Sequence, residues 1–361
     1  MIFLSSYDMI YNWLFVDNKN EMGVANVLEY LNSLRIDSLR GVRDLAFSEF
    51  ATVNLITGPN ACGKSTVLDA IELITNPTQA KQFLKLSNAS GFFYLFDKKE
   101  IRPYCRVSGV LLDKPYFTEL ASYETMSGST FRGYHYYMIP KNGVPTNHTR
   151  EVEFNIKDDI SIPTTSSMVN VQRISDNFKN TSLANILKDK TVYEKVLSVL
   201  SLFDNRIIAI DSPDFKNTYV SHEVYGNLDE TFFSMGIRKF LNLASQMADF
   251  RDGILLIDDF EAHLSPGTLY ETVSLVYSLA KERNIQLFIT THSQELIDEW
   301  LDIMNFYHKL SDLKIIRMKS DGTLSSHIEF WGKEAYELRM EHEWDFRYEH
   351  PKKGEINERI F

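Results

Sequence analysis

Cysteine is nearly absent: the 361 residues contain two, Cys62 and Cys105. Two thiols leave no room for a disulfide framework or a cysteine-rich metal site, so reduced thiols in a cytoplasmic setting are expected. Long apolar runs are lacking as well. Ile254-Leu-Leu-Ile257 stops at Asp258, far short of the ~20 residues a spanning helix needs, and no membrane attachment is expected. The first residues, Met1 to Asp8, carry no basic leader and meet a charge before any apolar stretch, which is not the pattern of a secretory signal. There are no sustained heptads, internal repeats or low-complexity tracts, so coiled-coil arms are not expected. Basic residues are the minority, 38 against 49 acidic, for a net charge of −11. A protein that coats DNA through its phosphates is basic, so nucleic acid is not the favoured partner.

What is present is material for a core, 44% apolar and 13% aromatic residues, and one loop of unusual information content. Gly58-Pro-Asn-Ala-Cys-Gly-Lys64-Ser65 fits G-x-x-x-x-G-K-[ST] at every fixed position. With glycine near ~7% of residues, chance produces such a pattern in roughly one chain of this length per hundred. The residue types suit anion binding. Backbone N–H groups of Asn60, Ala61, Cys62, Gly63 and Thr66 can turn toward phosphate oxygens. Lys64 reaches the β- and γ-phosphates of ATP, and the Ser65 hydroxyl ligates Mg²⁺. An apolar strand over 52–57 leads in. Val67, Leu68, Ile71 and Ile74 give 66–75 the spacing of a packed helix, its positive end toward the anion.

Around this loop the chain divides. Residues 1–33 form an N-terminal appendage, with a short helix expected near 24–34. A nucleotide-binding core is assigned to 34–76 and 180–345, and a tail to 346–361. Residues 77–179 are rich in aromatics and β-favouring alternation, as in Tyr134-His-Tyr-Tyr-Met-Ile139, and read as a small β-rich insertion. From residue 182 helical and strand patterns alternate: helix 182–203, strand 206–210, helix 236–250, strand 253–257, helix 268–281, strand 285–290, helix 294–304, strand 313–318. This alternation predicts an α/β fold with a mainly parallel sheet and flanking helices.

Two further motifs sit at strand ends. Gly253-Ile-Leu-Leu-Ile-Asp258-Asp259 is an apolar strand closing on two carboxylates. Asp258 suits a Mg²⁺ partner and Asp259 an orienter of the attacking water. Thr290-Thr-His292-Ser293 follows the next strand, placing His292 to hydrogen-bond the γ-phosphate or the water.

Ile257-Asp-Asp-Phe-Glu-Ala-His-Leu-Ser-Pro266 closely resembles the D-E-P-E-A-H-L-H-P run of ATP-binding-cassette ATPases. It looks most like the soluble branch related to overcoming-lysogenization-defect nucleases and structural-maintenance-of-chromosomes heads. The strands over 34–47 resemble those that precede the loop in that branch, and Ser234-Met-Gly236-Ile-Arg238 stands where its signature motif belongs. The resemblance implies a P-loop NTPase fold and a homodimer, or a higher homo-oligomer, that sandwiches ATP. Lys64, Ser65, Asp258 and His292 of one subunit would face Ser234 and Gly236 of the other, and 262–265 would sense the opposite subunit. Ser234 and the N–H groups opening the 236–250 helix also make physical sense as an anion site.

Three departures stand out. Asp259 replaces the family's glutamate, so hydrolysis is expected to be slow or partner-activated, or shared with Glu261. Met235 replaces a small residue, and Ser265 replaces a His or Asp. Gln79, Gln82 and Gln172 are the candidates for the Mg²⁺-sensing glutamine.

About seventy residues follow His292, and Glu334, Glu337, Glu341, Glu343 and Asp345 read there as a solvated helical face rather than a nuclease. The expected function is therefore an ATPase switch that controls an effector protein, as in anti-phage defence. One alternative is a DNA-maintenance ATPase that clamps DNA through Lys81, Lys85, Lys98, Lys99, Arg102 and Arg106. The other is a non-hydrolysing nucleotide-binding scaffold.

Overall fold

The computed structural model describes residues 28–75, 104–125, 128–141, 144–155, 169–174, 183–212, 218–320 and 325–348. The chain clusters into two compact units. Among the described residues, one comprises those of Ile174–Arg251 and Glu261–Ile285; the other comprises those of Glu29–Arg173, Asp252–Phe260 and the stretch from Gln286 onward.

The second unit holds the central sheet. It has six strands in the order β15-β14-β3-β13-β12-β8. Their ranges are β3 Val53–Thr57, β8 Asn170–Ile174, β12 Gly253–Ile257, β13 Ile285–Thr290, β14 Leu313–Ser320 and β15 Ser325–Trp331. Strand β3 runs parallel to both neighbours, Leu55 lying opposite Ile289 on one side and Ile315 on the other. The sheet is mainly parallel, as expected. Two of its strands escaped the sequence reading: β15, antiparallel to β14, and β8, whose residues were assigned to the β-rich insertion but join this sheet instead. Strands β3, β12 and β13 are buried at every residue, which is why they appear in sequence as unbroken apolar runs rather than alternating ones. Helices α1 Lys64–Thr75, α6 Gln294–Phe306 and α7 Gly332–His342 belong to this unit too.

A second sheet of six strands, β2-β1-β4-β5-β6-β7, is antiparallel throughout. It begins with β1 Leu31–Leu39 and β2 Val42–Phe47 and continues through β4 Tyr104–Leu111, β5 Lys114–Thr125, β6 Gly128–Lys141 and β7 Val144–Asn155. The β-rich character expected for the middle is present, and β4 pairs directly with β1. Residues 31–34, expected to end a short helix, are strand instead. A register shift between Leu31 and Ser33 explains the misreading. The bulge leaves Leu31 and Leu34 both buried three residues apart, a spacing that imitates a helix. Residues 24–27 of that expected helix lie outside the described residues.

Both sheets share one core through α1. Val67, Leu68, Ile71 and Ile74 of the helix join Leu34, Ile36 and Val107 of one sheet and Ile56, Leu256, Phe288 and Ile316 of the other. A helix apolar on nearly all sides fits only such a sandwiched position. Two buried amides brace the base of the sheets. Gln286 accepts from Leu31 N at 2.8 Å and donates to the carbonyls of Leu31 and Ala51. Asn54 accepts from Ala51 N at 2.9 Å and donates to Ala51 and Leu287. Each satisfies backbone groups whose isolation would cost about 1–3 kcal/mol.

In the other unit, α2 Ala184–Leu187 precedes α3 Lys190–Phe203, followed by α4 Met235–Asp249 and α5 Pro266–Glu282. The helix expected over 182–203 breaks at Asp189, whose carboxylate caps α3 by accepting from Thr191 N and Val192 N and also binds Arg283 at 2.8 Å. A three-stranded antiparallel sheet, β9 Ile207–Asp211, β10 Tyr219–His222 and β11 Gly226–Leu228, completes the unit.

Among the described residues no helix is long and apolar enough to cross a membrane.

Candidate functional site

The buried strand β3 delivers the chain into the glycine loop, and α1 begins at Lys64, its first turn closed by a bond from Val67 N to Gly63 O of 3.0 Å. The loop needs backbone that side chains resist. Gly58 has φ 137° and Gly63 φ 102°. A Cβ on Gly58 would stand 2.4 Å from the Met318 carbonyl oxygen of β14, which has no room to yield. Gly58→Ala is therefore expected to cost at least about 2 kcal/mol from strained φ and overlap together, read as a lowered urea midpoint at unchanged slope.

Lys64 is 6% exposed, and its ammonium curls back to donate to the carbonyls of Gly58 (3.0 Å) and Pro59 (2.9 Å). The loop thus holds a desolvated cation in place before any anion arrives. Cys62 is buried beneath it, and burial pushes its thiol up, so it packs rather than reacts.

The strand-end residues converge on Ser65. Its hydroxyl donates to Asp258 Oδ1 at 3.2 Å. Thr290, at the end of β13, donates its hydroxyl to the same oxygen and receives the Asp259 N–H at 2.9 Å. One threonine therefore fixes both carboxylate residues of the motif. Asp259 adopts φ 46°, a left-handed conformation that Asp tolerates better than most residues. Its carboxylate is about half exposed and lies 3.9 Å from His292 Nε2. His292 follows Thr291, whose N–H is tied to Ile56 O of β3 at 3.0 Å. Lys64, Ser65, Asp258, Asp259 and His292, selected from three separate stretches of sequence, stand within one unit on three adjacent strand ends.

Arg173, at the end of β8, was not foreseen. It donates through Nη2 to Asp258 Oδ2 (2.6 Å) and through Nη1 to Asp69 (2.6 Å) and Glu72 (3.1 Å) of α1. Arg40 holds the other Asp69 oxygen. Burial opposes the charge of Arg173, yet the three carboxylates hold it more firmly protonated than a free guanidinium. Burial alone would raise Asp258, but hydrogen bonds from Thr290 and Arg173, with that of Ser65, outweigh it and hold the group below the usual carboxylate range. The one signal in sequence was a pair of acids, Asp69 and Glu72, on a helix otherwise spaced for burial.

The remaining expected site residues lie in the other unit. Ser234 is the N-cap of α4, its hydroxyl accepting from Ile237 N at 3.5 Å. In the first turn, a Cβ on Gly236 would lie 2.7 Å from the His263 carbonyl oxygen, so this helix start is packed against the loop 262–265. Glu261 opens that loop and is half-buried. Of the glutamines, Gln172 adjoins Arg173 on β8, while Gln79 and Gln82 lie outside the described residues. Helix α7 carries Glu334, Glu337 and Glu341 and stops at His342, with Glu343 left-handed at φ 49° and Asp345 beyond it.

Two family models match the chain. One, described as "AAA domain, putative AbiEii toxin, Type IV TA system", covers residues 140–298; the other, described as "AAA domain", covers 33–210. A solved Smc head bound to the C-winged helix domain of ScpA superposes with a TM-score of 0.53 at 14% identity, covering 85% of this chain and 99% of that one. The chain shares the fold of that solved Smc head. Among curated proteins, the chain is 39% identical over 67 residues to an uncharacterized protein of Methanocaldococcus jannaschii, covering 19% of this chain and 59% of that one. It is 32% identical over 77 residues to the bacitracin transport ATP-binding protein of Bacillus licheniformis, covering 21% and 25%. The chain thus spans 59% and 25% of the length of these relatives.

The residues of the candidate site suit Mg²⁺ and a polyphosphate. A hydroxyl and a carboxylate held 3.2 Å apart are the hard oxygen donors that Mg²⁺ takes, beside a loop whose buried ammonium matches a polyphosphate.

Proposed function

We propose that this chain binds and hydrolyses ATP as a head that dimerises around the nucleotide and acts as a switch on an effector protein, in anti-phage defence. The observation that carries this reading is the meeting of Ser65 and Asp258 at 3.2 Å, beside the buried Lys64 and flanked by Asp259 and His292. Lys64 binds the β- and γ-phosphates, Ser65 and Asp258 hold Mg²⁺, Asp259 orients the attacking water, and His292 hydrogen-bonds the γ-phosphate or that water. Mg²⁺ supplies charge neutralisation at the phosphates as they react. In the partner subunit Ser234 and Gly236 close over the γ-phosphate from the opposite side, using the N-terminus of α4. The description of the family model over 140–298, a putative toxin of a toxin–antitoxin system, favours an effector over a transported solute as the partner.

The test is ATP turnover with Mg²⁺, alongside mass in solution with and without ATP. Turnover, together with a mass that doubles only when ATP is present, is the expected result. Tight ATP binding with neither turnover nor a change in mass would favour the scaffold. Duplex DNA should not bind even at low salt, where its electrostatic attraction is greatest. Binding there would instead favour the DNA clamp, whose expected basic stripe lies outside the described residues except for Arg106.

A further inference from the structure

Ser65, Asp69 and Glu72 are spaced i, i+4, i+7 along α1 and so lie on one face of the helix. Ser65 is the residue of that face that touches Asp258; Asp69 and Glu72 are the two that touch Arg173. The same guanidinium takes Asp258 Oδ2, leaving Oδ1 to Ser65 and Thr290. Both oxygens of the Asp258 carboxylate are therefore fixed, one by the hydroxyls and the other by Arg173, and the carboxylate cannot rotate without breaking a charged hydrogen bond. Arg173 is itself held, its side chain 21% exposed against Asp69 at 3% and Glu72 at 12%.

We propose that Arg173 is the positioning residue of the metal site: one guanidinium, gripping Asp258 of β12 and the α1 face that carries Ser65, sets the spacing of the two oxygens that receive the divalent cation. This rests on the Mg²⁺–nucleotide reading above. The fork of the guanidinium is essential, because its two terminal nitrogens reach β12 and α1 from one fixed plane, whereas an ammonium is a single compact point of charge without that fixed fork. Asp69 keeps Arg40 when Arg173 is lost, so the helix face retains one counter-ion and the damage is directed to Asp258.

The test separates metal from nucleotide. Affinity for a fluorescent ATP analogue is measured for the full chain in EDTA and in saturating Mg²⁺, and the ratio of the two gives the Mg²⁺ enhancement. Arg173→Gln should leave the metal-free affinity within about twofold of wild type and cut the enhancement by about tenfold or more, the scale of losing a residue that orients a metal ligand. Arg173→Lys should fall between them, and it decides the matter where thermal melting shows Arg173→Gln unfolded. Wild-type enhancement in Arg173→Lys would then overturn the proposal. So would an unchanged enhancement in a folded Arg173→Gln, an equal loss in both buffers (a purely structural role), or a larger enhancement (a guanidinium that competes with the cation). A wild-type chain that binds no nucleotide in either buffer would instead overturn the nucleotide reading, and this proposal with it.

Discussion

Lys64→Ala should lower ATP affinity by about a hundredfold or more while leaving the fold standing. The magnitude follows from the state of the side chain before binding. The residue is 6% exposed and its ammonium already gathered against the carbonyls of Gly58 and Pro59, so the desolvation and ordering of a long side chain are largely met by folding. Transfer of its donors to phosphate oxygens exchanges neutral acceptors for charged ones, and charged hydrogen bonds contribute about 1.5–3 kcal/mol each. Two of them correspond to roughly 10²–10⁴ in affinity. Folding is affected little, because the two carbonyls released include that of the exposed Pro59, which water can reach. The expected thermodynamic loss is about 1 kcal/mol, read as a small shift in urea midpoint. Titration of a fluorescent nucleotide analogue provides the main readout. A variant that binds within threefold of wild type would mean that Lys64 does not contact the nucleotide, and the switch reading would fail at its first step.

The strands that hold this site were legible because they are buried on both faces. Val53–Thr57, Gly253–Ile257 and Ile285–Thr290 have no exposed residue, so each reads as a solid apolar run, and the polar residues of the candidate site stand just beyond or at their ends. Strands with one wet face gave a weaker signal. Ser325–Trp331 buries one of its seven residues, and β10 and β11 are four and three residues long; each is polar enough to pass for a loop. The limit appears most clearly at Arg173. Its partners lie 85 or more residues away in sequence, on a helix and a strand that only the sheet order brings together. No local pattern encodes that pairing. Thr290 was hidden for a different reason: as the last residue of a buried strand its hydroxyl looked incidental, yet it holds Asp258 and the Asp259 backbone together. Residues with an intrinsic chemical signature could be nominated from sequence, and residues whose place comes from their neighbours could not.

Asp259→Asn should abolish turnover without weakening ATP binding, and this pairing of effects is what distinguishes a water-orienting group from a binding one. The backbone sits at φ 46°, where Asn is as well accommodated as Asp, so the substitution introduces no strain. The bond from its N–H to Thr290 survives, since it belongs to the main chain. The carboxylate is about half exposed, so losing its charge removes little from stability, and a change within about 0.5 kcal/mol is expected. What disappears is an anionic acceptor for a water proton beside His292. Groups that accept or orient protons in this way contribute about 10²–10⁴ in rate, so turnover should fall by that factor while the Kd for ATP stays within about twofold. If closure around ATP drives dimerisation, the blocked enzyme should also accumulate as ATP-bound dimers, visible as a doubled mass that persists after wild type has returned to monomer. Asp259→Glu offers the converse test. Its extra methylene gives the length usual in the ATPases that this run of residues resembles but suits a left-handed backbone less well, so faster turnover at slightly lower stability is expected. Turnover by Asp259→Asn at the wild-type rate would move the catalytic role away from this carboxylate, with Glu261 the next residue to replace.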